Sequence, residues 1–223
     1  MQKVSVKICG IKTKDALEAA ISGGAAFAGF NFFRPSPRFS DFDQAAALAR
    51  LVPPHIKTAA VTVDPDDALL DAILKSFRPD FIQLHGKETP KRVAEIKNRT
   101  GIYIIKALPI SSADDFKAME DFEPMANRFL FDSKTPDGAK LPGGNALAFD
   151  WRLMRGQSIN KPWFLAGGLN SKNVKEALEL SGAAAVDVSS GVETALGEKS
   201  PALIRELLRA VSSGQGVANA HRP

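Results

Sequence analysis

The chain has one cysteine, Cys9, in 223 residues. It can form no internal disulfide and no multi-cysteine zinc site, and a lone thiol fits a reducing compartment. Histidine is also scarce. His55, His85 and His221 show no metal-ligand spacing, so no metal site is expected. No apolar run approaches the roughly 20 residues that span a membrane, and no membrane partner is expected. Met1-Gln2-Lys3 leads directly into an alternating segment, which argues against a secretory leader and for a cytoplasmic location. Charge of one sign is not concentrated either. The net charge is +4, and the basic residues are dispersed with no run of five or six. Nucleic acid is therefore not an expected partner, whereas a mild positive bias suits an anionic small molecule. Also missing is a Gly-x-Gly-x-x-Gly after the first strand. Cys9-Gly10-Ile11-Lys12-Thr13 stands there instead, which counts against an open, doubly wound dinucleotide-binding sheet.

What is present is a regular alternation in a chain of ordinary globular composition, 44% hydrophobic and 24% charged. Strand patterns fall at 4–8, 25–33, 57–63, 80–85, 102–106, 128–132, 163–166 and 184–188. Helical patterns follow them: one opening after Thr13, then 44–51, 66–77, one from Pro90, 113–122, 149–155, 171–180 capped by Asn170, and 201–211. A long loop occupies 133–147. Eight strand–helix units in this length, with no composition break, predict an α/β protein with one (β/α)8 TIM-barrel domain over 1–212. Residues 213–223 read as a frayed tail.

In such a barrel the chemistry lies where the strands end, and the polar residues of this chain gather there. Period-2 alternation puts Lys7 and Cys9 on the inward face of the first strand. A lone cysteine is usually a small buried hydrophobe. Here it ends a strand, precedes a glycine turn and shares its face with a lysine, which favours the thiolate. Gln83 and His85 share a face on the fourth strand. Asp132 ends the sixth, and Asp187 shares a face with Ala185 and Ser189 on the eighth. Gly167-Gly168 and Ser189-Ser190-Gly191 follow strands seven and eight, where many barrels bind phosphate on backbone N–H groups. The loop after strand two carries Arg34 and Arg38 on either side of two stiffening prolines, Pro35 and Pro37, and either arginine can hold a carboxylate.

These segments also carry a resemblance. Lys7-Ile8-Cys9-Gly10-Ile11, Gly29-Phe30-Asn31-Phe32 with Ser36-Pro37-Arg38, Gln83-Leu84-His85-Gly86, Phe131-Asp132-Ser133-Lys134, Phe149-Asp150-Trp151, Ala166-Gly167-Gly168-Leu169-Asn170 and 186–193 resemble the phosphoribosylanthranilate isomerases of tryptophan biosynthesis, in order, over residues 3 to about 210. The resemblance implies the same barrel and no cofactor. It implies isomerisation of N-(5-phosphoribosyl)anthranilate to 1-(2-carboxyphenylamino)-1-deoxyribulose 5-phosphate by an Amadori rearrangement. It assigns Asp132 as general acid and Cys9 as general base, and Arg38 matches the family's Ser-x-Arg. The expected substrate contacts are Lys7, Arg38, His85, Gly167, Gly168, Asp187, Ser189, Ser190 and Gly191. Asp187 is expected to orient a neighbour or hold the phosphate loop. The partner is then a phosphorylated small molecule, with the protein a monomer or homodimer. The chain departs from the family at Gly143-Gly144-Asn145-Ala146, where Gly-Gly-Ser/Thr-Gly is usual.

The assigned roles demand opposite starting states, a thiolate at Cys9 and a protonated carboxyl at Asp132. Rival readings are the related imidazole-pathway isomerase, which has an aspartate where Cys9 stands, and a catalytically silent phosphometabolite-binding barrel.

Overall fold

A computed structural model of the protein describes residues 4–134 and 148–213. The loop departure at Gly143-Gly144-Asn145-Ala146 and the tail beyond 213 lie outside these residues. The chain runs β1 (Ser5–Cys9), α1 (Lys14–Ser22), β2 (Phe27–Asn31), α2 (Phe42–Ala49), β3 (Lys57–Thr62), α3 (Asp67–Ser76), β4 (Phe81–Leu84), α4 (Pro90–Thr100) and β5 (Tyr103–Ile110). A 3-10 turn (Ala113–Lys117), α5 (Ala118–Phe122), β6 (Arg128–Ser133) and a second 3-10 turn (Trp151–Met154) follow. Then come β7 (Trp163–Leu165), α6 (Val174–Ser181), β8 (Ala185–Val188), a third 3-10 turn (Ser190–Val192), the hairpin β9 (Glu193–Ala195) and β10 (Glu198–Lys199), and α7 (Pro201–Ser213).

Strands β1 to β8 pair in parallel and in order, and β8 pairs with β1 to close the barrel. Closure places Lys7 opposite Asp187, and Cys9 opposite Gly29 on β2. Alternation then sorts the side chains. Val6, Ile8, Phe129, Phe131, Val186 and Val188 face outward into the apolar layer under the helices. Phe27, Ala59, Phe81, Ile105, Leu130 and Phe164 fill the barrel itself. At its N-terminal end the Arg128 guanidinium lies 5.4 Å from the Phe27 ring centre, 5.5 Å from Phe164 and 6.0 Å from Phe81. Burial pulls the Arg128 pKa down.

The helices start where their caps allow. Thr13 Oγ1 accepts from the Ala16 N–H, Asp66 caps α3, and Thr89 with Pro90 behind it opens α4. Five elements differ from expectation. The helix expected at 149–155 is a 3-10 turn over Trp151–Met154. β5 runs on to Ile110, because Lys106 does not end it. That lysine is buried, with Nζ 2.8 Å from Glu88 Oε2 and 2.9 Å from the Gly86 carbonyl. Residues 113–122 divide into a 3-10 turn and a short helix, with Asp115 tied to the N–H groups of Ser111 and Ser112. Helix α6 begins at Val174, since the Asn170 side chain caps the preceding turn at Lys172 and Asn173. The β9–β10 hairpin had no signature in the strand pattern.

Candidate active site

The strand register builds the first part of the site. Lys7 Nζ lies 2.9 Å from Asp187 Oδ1, with the lysine wholly buried. Burial works to lower the Lys7 pKa, but Asp187 and Cys9 beside it hold the ammonium above its ordinary range. Cys9 is also buried. Burial pushes its thiol up, Lys7 and Lys199 pull it down, and Asp187 pushes it further up; the balance is a raised pKa. Lys7 does pull the sulfur toward the thiolate, but burial outweighs that pull and Asp187 works with burial. Gly29 is what lets the two groups meet. A Cβ there would sit 3.2 Å from Lys7 Nζ and 3.3 Å from Cys9 Sγ.

The second part lies at the ends of β4 and β6. His85 Nε2 is 3.4 Å from Asp132 Oδ2, and His85 Nδ1 is 3.0 Å from Gln83 Nε2. Asp132 Oδ1 accepts from the Ser133 N–H at 2.8 Å. Alternation had placed these residues on inward faces, and the fold brings them together.

The two glycine segments meet each other. Gly167 and Gly168 have φ of 88° and 62°, which side chains rarely adopt. A Cβ on Gly191 would lie 1.8 Å from the Leu169 carbonyl oxygen. Gly191 is therefore glycine because one loop packs on the other's backbone, a different reason from ligand approach. Ser189 Oγ donates to the Cys9 carbonyl at 3.2 Å and so ties this corner to the thiol strand.

The last part is a charge chain that joins Arg38 to two residues the sequence reading left without roles, Glu193 and Lys199. Arg38 is buried, and its Nε and Nη2 reach Glu193 Oε1 and Oε2 at 2.8 and 2.9 Å. Glu193 also pairs with the Lys199 ammonium, whose Nζ lies 3.3 Å from Ser189 Oγ. Burial works to raise the Glu193 pKa, but Arg38 and Lys199 hold it below its ordinary value. Burial pulls Lys199 down. The hairpin places this pair: β9 starts at Glu193, and β10 returns Lys199 to it. The positive φ of 76° at Gly10 lets the chain turn beneath the Arg38 side chain. Arg34 is exposed and lies over the Phe39 ring at 5.4 Å, so the structure separates the two arginines of that loop.

Among the described residues, no group of three or more His, Cys, Asp and Glu side chains comes together as a metal site. No helix among them is long and apolar enough to cross a membrane.

Known proteins match this architecture and this order of residues. The profile of the N-(5'phosphoribosyl)anthranilate (PRA) isomerase family matches residues 6–210. The N-(5'-phosphoribosyl)anthranilate isomerase of Caulobacter sp. (strain K31) is 51% identical over 209 residues, covering 93% of this chain and 98% of the relative. The phosphoribosyl anthranilate isomerase structure from Thermotoga maritima superposes with a TM-score of 0.83 at 29% identity, covering 94% of this chain and 99% of the other. A phosphoribosyl anthranilate isomerase bound to reduced 1-(o-carboxyphenylamino)-1-deoxyribulose 5-phosphate superposes at 0.81 and 27% identity, with the same coverage.

Proposed function

The chain belongs to the N-(5'-phosphoribosyl)anthranilate isomerase family, aldose–ketose isomerases of tryptophan biosynthesis, and we propose that it performs the family's Amadori rearrangement with Asp132 as general acid and Cys9 as general base. The observation that carries the residue assignment is the placement of one buried thiol and one carboxyl at the ends of β1 and β6, on the inward face of a single closed barrel.

Asp132 gives its proton to the ribose ring oxygen as the bond from that oxygen to C1′ breaks. The ring opens to an iminium ion. Cys9 then takes the C2′ proton, leaving an enolamine. Protonation at C1′ and loss of the 2′-hydroxyl proton give the ketone. Cys9 can take the C2′ proton only as the thiolate, so its own proton leaves to solvent before that step. Burial and Asp187 oppose that loss, while Lys7 and Lys199, each steadied by its own carboxylate, favour it, and the iminium adds a further positive charge.

The substrate's two anionic ends are held apart. The paired loops at Gly167-Gly168 and Ser189-Ser190-Gly191 take the phosphate on backbone N–H groups. Arg38 takes the anthranilate carboxylate. Glu193 accepts from its Nε and Nη2 and so fixes the plane of the fork. Lys7, Asp187 and His85 complete the walls. In this reading residues 1–212 form one catalytic domain that works in the cytoplasm without a cofactor, as a monomer or homodimer.

The test is Asp132→Asn, followed by the loss of phosphoribosylanthranilate fluorescence. The variant keeps size and hydrogen bonding but has no proton to give. Its kcat should fall by about 10²–10⁴ with little change in KM. Normal turnover at saturation would remove Asp132 from the acid role.

A further inference from the structure

Among the described residues two buried side-chain polar atoms lack a hydrogen-bond partner, Trp151 Nε1 and Gln83 Oε1. Gln83 is the one beside the candidate chemistry. Its side chain is wholly buried, on the same face of the strand as His85. Its Nε2 lies 3.0 Å from His85 Nδ1, and His85 Nε2 lies 3.4 Å from Asp132 Oδ2. A row of three side chains therefore runs from the barrel interior to the carboxyl at the end of β6.

With Asp132 ionised, its state once it has given up a proton, donors and acceptors along this row have one consistent arrangement. A carboxylate only accepts, so the ring nitrogen that faces it carries the hydrogen. In a neutral ring the other nitrogen is then an acceptor, and it faces the Gln83 amide nitrogen, which donates. Turning the amide over would put Oε1 on Nδ1 and leave the two N–H donors unmatched in the interior. An unmatched carbonyl oxygen is tolerated more readily than unmatched donors. The lone Oε1 is thus the smaller of two shortfalls, and it arises because the nitrogen is used at the ring.

We propose that Gln83 is a positioning residue for the reaction: it fixes His85 as the Nε2–H tautomer and so aims the ring's donor at Asp132 Oδ2. The ring's N–H then meets the carboxylate that forms as Asp132 gives up its proton. The proposal rests on Asp132 as the acid, and its test separates the two ideas.

The measurement is the imidazole nitrogen spectrum of 15N-labelled protein, in which three histidines give few signals to assign. Wild type should show His85 with Nδ1 bare and Nε2 protonated. Gln83→Met keeps the volume and removes the donor. It should give mixed tautomers, with kcat down about ten- to a hundredfold and KM changed less than about twofold. Gln83→Glu should reverse the tautomer, because its carboxylate accepts from Nδ1–H. A wild-type signal from Nδ1–H overturns the proposal without any variant. So does Gln83→Met with an unchanged spectrum, whatever its activity, or with mixed tautomers and kcat near wild type. Full activity in Asp132→Asn would instead sink the acid assignment, while the spectrum still judged the Gln83–His85 contact.

Discussion

At the N-terminal end of the barrel, Arg128 buries its charge against the faces of Phe27, Phe81 and Phe164. At the C-terminal end, Lys7, Lys199 and Arg38 bury theirs against Asp187 and Glu193. Aromatic faces attract a cation weakly and do not titrate, so the lower arrangement is fixed over the working pH range. Carboxylates hold their cations strongly and leave a field that a third group can feel, as Cys9 does. The lower charge plugs the barrel. The upper charges set the state of the atoms proposed to react.

That contrast can be broken in graded steps. The most severe is Cys9→Ala, which should reduce kcat by about 10²–10⁴ while the melting transition stays within a few degrees of wild type. Turnover within a few-fold of wild type would return Cys9 to the status of a packing residue. Next is Arg38→Ala. A charge-assisted contact is worth about 1.5–3 kcal/mol, so KM should rise by about one to two orders of magnitude with kcat largely kept. Arg34→Ala, with its side chain exposed, should do less in the same saturation assay. The reverse ranking would move the carboxylate contact to Arg34.

A milder test is Asp187→Asn. Asp187 helps to hold the Cys9 pKa up, so neutralising it should bring that pKa down. The alkaline rise of kcat/KM, which reports the free enzyme, should then shift to lower pH. A shift upward would mean that Asp187 acts on Cys9 only by placing Lys7. The smallest effect on activity should come from Arg128→Met. Loss of the ring contacts should lower stability by about 1–2 kcal/mol, seen as a lower denaturant midpoint, with kcat and KM unchanged. A fall in kcat there would show that the two ends are coupled through the barrel.

Much of the upper end was legible in the sequence, for a physical reason. Strand alternation has a fixed period, so a polar residue at a strand's end declares its face. Lys7, Cys9, His85, Asp132 and Asp187 were all found this way. What escaped was polarity whose partner comes from elsewhere in the chain. Lys106 and Lys199 drew no expectation of a partner, yet their side chains are 3% and 1% exposed. Nothing local says that Glu88 or Glu193 will meet them. Gln83 was visible as a neighbour of His85, but which amide atom faces the ring depends on the fold. Gly191 was legible as a glycine and misread in purpose, since the carbonyl that excludes a side chain belongs to Leu169 on another loop.

The Lys7–Asp187 pair joins residues 180 positions apart, across the seam where β8 meets β1. During synthesis the N-terminal strand emerges first, and its lysine has no counter-ion until nearly the whole barrel has left the ribosome. A buried ammonium without its carboxylate is strongly disfavoured. The first strand therefore cannot settle into its final place early, and a chain cut short before residue 187 should expose Lys7 to water and keep that seam open. The pair beneath the thiol thus acts as a check on completeness: the corner that holds Cys9 is assembled only when the last strand has arrived.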